Sequence, residues 1–252
     1  MTTRRRFFAP PSSFDAERQT ATLPPEETRH LRDVLRLSET DVVFVFDGEG
    51  NEYECSISEV GRDFTTLHVV SKVSSRSSES PLQMTLAMAL LKGDKFDLVI
   101  QKTTELGVQA IQPVATKFAD VRLKDKSDTE HKVRRWQRIA MEAAKQSGRA
   151  HVPTVAAPTE LCQLFESTPI NSSRLLFSER LGESFEVTVN EMERPTSLVV
   201  LVGSEGGWAD EELEQAREAG WKILTLSGRT LRAETAAITT IALLQHRFGD
   251  LK

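Results

Sequence analysis

The sequence predicts an α/β protein in two parts. A small β-rich domain covers residues 1–72, and a larger domain over 73–252 alternates strands with helices around a parallel sheet. Three observations carry this. Up to about residue 72 the apolar residues follow the two-residue period of strands. From Leu82 onward, short apolar runs alternate with segments of helical period, the pattern of βαβ units. Between them lies SKVSSRSSESP (Ser71 to Pro81), a Ser-rich stretch without periodicity and the best boundary in the chain.

The elements follow in order. PPEETRHLRDVLRL (Pro24 to Leu37) is a short helix with Glu26 and Glu27 in its first turn and Leu31, Val34 and Leu35 on one face. DVVFVFDGEGNEYECSISEV is two strands around a Gly-rich hairpin, and FTTLHVV (Phe64 to Val70) is a third strand. LQMTLAMALL is a buried strand. DKFDLVIQKTTELG is a helix with Asp94 as N-cap, Gly107 just past its end, and Phe96, Val99, Ile100 and Leu106 turned inward. VQAIQPVAT is again a strand. DTEHKVRRWQRIAMEAAKQSG is a helix with Trp136, Ile139, Ala140 and Ala143 on one side. RLLFSE and SLVVLVG are short strands, ADEELEQAREAG is a helix ending at Gly220, WKILTL is a strand, and AETAAITTIALLQHRF closes the chain as a helix. By these rules alone the sheet is an ordinary doubly wound one without a knot.

Composition narrows the function. With 39% apolar and 27% charged residues the chain is of the soluble globular class. Cys55 and Cys162 stand far apart with no CxxC, which excludes a disulfide framework, argues against a zinc site and suits a reducing cytosol. MTTRRRFFAPPSS has basic residues but no apolar core, so it does not read as a signal peptide. No apolar run is long enough to span a bilayer. The five histidines form no metal pattern, and no metal is expected. The net charge of −5 hides an uneven distribution: Lys117 to Arg149 holds ten Lys/Arg against five Asp/Glu. That stretch is either an RNA-binding face or a solvated helix surface.

Two glycine loops at late strand ends are the candidate site: VGSEGGW (Val202 to Trp208) and LSGR (Leu226 to Arg229). Parallel sheets bind ligands at the carboxyl ends of their strands, and glycine permits close backbone approach. Neither GxGxxG nor GxxxxGK[ST] spacing occurs, so NAD and ATP sites of the usual kinds are excluded. A loop with a central Glu205 and no Lys near it in sequence disfavours phosphate and tolerates a neutral or cationic ligand. The second loop runs into RTLRAETAA, where Arg229, Arg232, Glu234 and Thr235 crowd a helix start. That crowding is either a site or a capping and salt-bridge arrangement.

The pattern VGSEGGW…LTLSGRTLRAETA…ALLQHRFGD resembles the C-terminal signature of the bacterial ribosomal RNA uridine-N3 methyltransferases, within the SPOUT superfamily of knotted methyltransferases. LLKGDKFDLVIQKTTELGVQAIQPV and RWQRIAMEAAKQSGRAHVP are similar to that family's central motifs. HLRDVLRLSETDVVFVFDGEGNEY resembles its N-terminal PUA-like barrel, so the resemblance covers nearly the whole chain in order.

The resemblance implies a C-terminal trefoil knot and S-adenosylmethionine as methyl donor. It implies N3 of one uridine in 16S ribosomal RNA as acceptor, bound bare or in an assembling small subunit. It also implies a cytoplasmic homodimer with the donor site at the dimer interface. Three residues depart from the family pattern: Ser204 stands for proline, Ser227 for glycine and Ala233 for threonine.

Carried onto this sequence, the cofactor-binding residues are Val202, Gly203, Ser204, Glu205, Gly206 and Gly207 of the first loop, with Leu226, Ser227, Gly228, Leu231 and Thr235 of the second. Leu176 and Phe177 would add an apolar wall. Arg232 is the candidate for stabilising charge on the uracil oxygens, and Glu234 either takes the N3 proton or orients Arg232. Glu205 either tunes the cofactor's charge or only fixes the turn. RNA contacts fall to Arg4, Arg5 and Arg6 beside Phe7 and Phe8, and to Arg29, Arg32 and Arg36 on a helix face. The alternatives are a basic tail, phenylalanines packed in the barrel, and a plain solvated face. Two further readings compete: a non-catalytic RNA-binding protein, in which the glycine loops bind nothing, and a doubly wound oxidoreductase, against which the missing GxGxxG counts.

Overall fold

A computed structural model describes residues 4–121, 125–226 and 228–252. The chain divides into two compact units: Met1–Glu79 with Met141–Val152, and Ser80–Ala140 with Pro153–Lys252.

The first unit is a curled sheet of six strands. They are β1 (Arg6–Phe8), β2 (Phe14–Asp15), β3 (Thr20–Leu23), β4 (Val42–Phe46), β5 (Glu52–Val60) and β6 (Thr65–Val73), in the order β1-β4-β5-β6-β3-β2. Among the described strand pairs of this sheet, β1–β4 is parallel and the others are antiparallel. The hairpin between β4 and β5 turns on Gly48 and Gly50, both at positive φ, with the Asp47 carboxylate accepting the Glu49 and Asn51 N–H groups. Alternate strand side chains fill the interior, among them Phe7, Leu23, Val43, Val45, Ile57 and Leu67, together with Leu31.

Helix α1 (Pro25–Arg29) continues into one wide turn over His30–Val34, where the Leu35 N–H donates to the His30 carbonyl. That extra residue in the turn rotates the helix face. Leu31 is buried, but Val34 is 67% exposed and Leu35 38% exposed, which corrects the expectation of a single apolar stripe.

Arg6 is held inside this unit. Its guanidinium forms a fork with Glu52 at 3.1 Å and donates to the carbonyls of Lys145 and Arg149 at 2.7 and 2.9 Å. The two side chains are 5% and 0% exposed. Breaking such a pair strands a buried charge, so Glu52→Ala is expected to lower unfolding stability by about 3–5 kcal/mol. A denaturant titration of the two proteins reads this directly, and an unchanged midpoint refutes it.

The second unit is an all-parallel sheet of eight strands: β7 (Gln83–Ala89), β8 (Ala110–Ala115), β9 (Thr154–Val155), β10 (Thr159–Glu160), β11 (Ser173–Phe177), β12 (Glu183–Ser184), β13 (Ser197–Val202) and β14 (Lys222–Thr225). The order is β10-β8-β7-β13-β11-β14-β12, with β9 beside β8. The central strands β7, β13 and β11 are mostly apolar, as expected where helices cover a parallel sheet on both faces. The helices are α2 (Lys95–Glu105), α3 (Lys126–Ser147), α4 (Leu161–Ser167), α5 (Phe185–Glu191), α6 (Asp210–Glu218) and α7 (Ala233–Phe248). Residues of α3 up to Ala140 belong to this unit, and Trp136 packs on Phe96 of α2 with ring centroids 4.6 Å apart. Gly107 and Gly220, both at positive φ, end α2 and α6.

Candidate active site

The two glycine loops meet at the carboxyl ends of β13 and β14, where they enclose a cavity of about 500 Å³. Its wall is made by Phe177 at the end of β11 with Ser178 and Glu179 after it, by Val202 at the end of β13 with the loop to Trp208, and by Thr225 at the end of β14 with Leu226 and Gly228 to Arg232 after it, joined by Ala233 and Ala236 from the first turn of α7. A volume of this size suits an organic cofactor rather than an ion, since small-molecule sites run to roughly 300–1,000 Å³.

The first loop is fixed from behind. The Trp208 indole N–H donates to the Phe177 carbonyl at 2.8 Å, and its ring lies against Gly203, where an added Cβ would stand 3.0 Å from it. The turn closes with the Gly207 N–H donating to the Ser204 carbonyl at 3.0 Å, Gly207 having φ +69°. An added Cβ at Gly206 would meet Phe118, 2.6 Å from its Cβ and 2.7 Å from its carbonyl oxygen. The Gly206 backbone is therefore held by another loop of the protein, which itself is anchored by Glu212 of α6. The Glu212 carboxylate accepts the Lys117 N–H at 2.8 Å and the Ala209 N–H at 2.9 Å.

Glu205 is ion-paired with Lys95 of α2 at 2.7 Å. Burial pushes its carboxyl upward, but the Lys95 hydrogen bond, its own backbone N–H and the lysine's charge outweigh this and hold it below the ordinary glutamate range. The expectation of a loop with no lysine is thus corrected: the lysine lies 110 residues away in sequence and beside the loop in space.

Of the residues expected to hold a cofactor, Phe177, Val202 to Gly207, Leu226, Gly228 and Leu231 line the cavity. Ser227 lies outside the described residues. Leu176 is fully buried in the apolar cluster with Leu201, Trp208 and Ile223, so the wall falls to Phe177 alone. Thr235 is exposed in the first turn of α7 and is not part of the wall. Arg232 lines the cavity as the residue preceding α7, exposed and with no side-chain hydrogen bond or ion pair among the described residues. Glu234 sits half-buried just inside α7 with Oε2 enclosed and unpartnered, and no hydrogen bond joins it to Arg232. Sequence reasoning missed Ser178, Glu179 and Thr225. They follow or end strands whose neighbours cannot be told from the sequence.

The arginines expected to meet RNA are spread over different environments. Arg6 is sequestered as described, which corrects its assignment. Arg4 lies over the Phe44 ring at 4.6 Å and donates to the Ser74 carbonyl, and Arg5 stands 3.7 Å from Asp41. Arg32 forks onto Asp33 at 2.7 and 2.8 Å. That hydrogen bond holds the Asp33 carboxyl below its usual range. Arg29 and Arg36 are exposed, the latter at φ +53°. Phe7 is core, and Phe8 packs on Phe46 with centroids 5.5 Å apart.

The chain matches a family model described as an RNA methyltransferase domain over residues 78–245, and one described as an RNA methyltransferase PUA domain over 23–70. It is 35% identical over 228 residues to ribosomal RNA small subunit methyltransferase E of Synechocystis, covering 90% of this chain and 72% of that protein. The chain is a member of the ribosomal RNA small subunit methyltransferase E family. The member from Bacillus subtilis is 31% identical over 236 residues, 92% of this chain and 91% of that protein. The structure of the methyltransferase E of Neisseria gonorrhoeae bound to S-adenosyl methionine superposes with a TM-score of 0.88 at 32% identity, covering 99% of this chain and all of that one. A Legionella pneumophila methyltransferase in complex with the same cofactor gives 0.88 at 31% identity, with the same coverage. The expected fold, a parallel methyltransferase sheet with a PUA-type β domain, is thereby borne out.

Proposed function

We propose that this chain is an S-adenosylmethionine-dependent enzyme that methylates N3 of one uridine in 16S ribosomal RNA, acting as a cytoplasmic homodimer. One observation carries the reading: the cavity at the ends of β13 and β14 is walled by glycine backbone and an apolar Phe177, and its loop carboxylate Glu205 is already neutralised. Such a wall recognises an adenosine-like ligand through main-chain groups and ring packing without needing to grip phosphate. The relatives from Neisseria and Legionella bind S-adenosylmethionine in the same fold. When bound, the cofactor supplies an electrophilic methyl on a sulfonium.

The chain's own residues answer the acceptor's problem. Uracil N3 carries a proton at neutral pH and is a poor nucleophile while it does. Arg232, at the cavity wall and free of internal partners, is placed to stabilise negative charge spreading onto the uracil carbonyls. Glu234 is the candidate proton acceptor. It makes no bond to Arg232, and its Oε2 is the one buried carboxylate oxygen without a partner among the described residues.

A trefoil knot is supported by the path of residues 178–182. The Ser178 N–H donates to the Leu224 carbonyl, and an added Cβ at Gly182 would fall 2.7 Å from the Leu224 carbonyl carbon. The segment thus crosses the end of β14 to place β12 on its far side, and the chain leaving β14 must pass it to reach α7. A dimer is supported by a second hollow that shares Leu226, Arg229 and Leu231 with the cavity and continues onto Leu243, 37% exposed on α7. A reducing cytoplasm suits two free cysteines.

The β-rich domain, residues 1–72, is the proposed RNA-binding part, with Arg4, Arg5, Arg29 and Arg36 as its phosphate contacts. Replacing Arg4 and Arg5 by alanine is expected to weaken RNA binding regardless of sequence and to reduce the salt dependence by about one ion per lost contact. A salt titration of RNA affinity with an unchanged slope refutes those contacts.

Mass mapping of modified nucleotides in 16S ribosomal RNA, with and without this protein, tests the whole reading. One uridine is expected to lose a methyl in its absence, and an unaltered map sinks the proposal. The competing reading, a protein that binds RNA without chemistry, predicts no heat of binding when S-adenosylmethionine is titrated in.

A further inference from the structure

Glu179 brings a negative charge into the cavity, and the one ion pair it makes among the described residues is a shared one. It follows β11 on the crossing segment and lines the cavity, with its carboxyl 36% exposed. Among the described residues its one ion-pair partner is Arg180, whose Nε is 3.5 Å from Oε1, beyond good hydrogen-bond range. Arg180 is committed elsewhere: its Nη2 donates to the Trp208 carbonyl and stands 3.6 Å from Asp210. One guanidinium therefore serves two carboxylates, and the cluster keeps a net negative charge. Glu205, the other carboxylate of the wall, differs because Lys95 cancels it. The cavity's cations, Arg229 and Arg232, come from the loop after β14, and among the described residues neither forms an ion pair with Glu179. Gly207 makes the room for Glu179, since an added Cβ there would stand 2.5 Å from Oε1. The carboxylate is thus seated against the first glycine loop, inside the cavity wall.

We propose that Glu179 is a specificity-determining residue that favours the cationic cofactor over its neutral product. Methyl loss leaves the bonding electron pair on sulfur, so S-adenosylmethionine becomes the uncharged thioether S-adenosylhomocysteine with no other change in its charged groups. A carboxylate in the same cavity that shares its one ion-pair partner attracts the first more than the second, and its effect is to favour replacement of product by fresh cofactor. A residue that held the ribose hydroxyls or the amino-acid end would act on both ligands alike. This inference rests on the reading of the cavity as an S-adenosylmethionine site.

The test is calorimetric titration of wild type and Glu179→Gln with S-adenosylmethionine and, separately, S-adenosylhomocysteine, over a range of salt. Glutamine keeps the shape and removes the charge. The variant is expected to bind S-adenosylmethionine roughly 5–20-fold more weakly and S-adenosylhomocysteine within about twofold of wild type. The wild-type preference is expected to shrink as salt rises. Equal weakening of both ligands, or no change in either, overturns the role of Glu179 while leaving the cofactor site standing. A wild-type protein that binds neither ligand overturns the reading of the cavity, and this inference with it.

Discussion

Arg232→Ala is expected to lower the rate of uridine methylation by roughly 10²–10³-fold, the usual cost of removing one preorganised donor to a developing oxyanion. Affinity for S-adenosylmethionine is expected to stay within about twofold, because the role assigned to the guanidinium is toward the uracil and not toward the cofactor. The structure favours a clean separation of the two effects. Arg232 is exposed, precedes α7 in an extended conformation, and its side chain makes no hydrogen bond among the described residues, so its removal strands nothing. Its backbone carbonyl accepts the Ala236 N–H, and alanine preserves that bond. Melting temperature is therefore expected to be unchanged. Arg232→Lys keeps a charge but loses the planar fork, and a partial recovery of rate is expected. Single-turnover methylation of 16S ribosomal RNA, paired with cofactor titration, checks this. Wild-type turnover in the alanine variant removes Arg232 from the chemistry, and a parallel loss of cofactor affinity moves it to cofactor binding.

The sequence made some levels of this molecule legible and hid others, and the division is physical. Apolar runs such as LQMTLAMALL and SLVVLVG announce buried parallel strands because both of their faces are covered, and that pattern is local. Glycines past α2 and α6 mark helix ends because only a left-handed residue fits there cheaply. Two-residue strands such as β9, β10 and β12 carry no period at all, so nothing in the sequence announces them. The placing of β12 on the side of β14 away from β11 is a matter of strand order, which no local propensity announces. Charge pairing is hidden where the partner is remote in sequence. Glu205 meets Lys95, and Arg6 in a basic run meets Glu52 and two carbonyls of the segment around Lys145. Val34 and Leu35 came to face solvent because one wide turn rotated their helix, a shift that the 3.6-residue period cannot register.

Gly206→Val is expected to abolish cofactor binding, with affinity falling at least about tenfold, for a reason that differs from the one the loop sequence suggests. A glycine-rich loop suggests that the missing side chain makes way for the ligand. Here it makes way for Phe118: even a Cβ would stand 2.6 Å from the Phe118 Cβ and 2.7 Å from its carbonyl oxygen, and the γ-methyls of valine add to that. Phe118 is poorly able to yield. Its loop is tied to the start of α6 by Lys117, whose backbone N–H donates to the buried Glu212 and whose ammonium lies 2.7 Å from Glu211. The loop after β13 must give way instead, and its turn carries the wall from Val202 to Trp208. Overpacking of this kind costs about 1–3 kcal/mol, enough to lower the melting temperature by a few degrees in a chain of this size without unfolding it. Pairing titration of S-adenosylmethionine with a thermal melt separates the cases. Lost binding with a modestly lowered melt supports a loop displaced as a unit. Normal binding shows that the Phe118 loop moves aside, and that the glycine at 206 serves neither the ligand nor the packing.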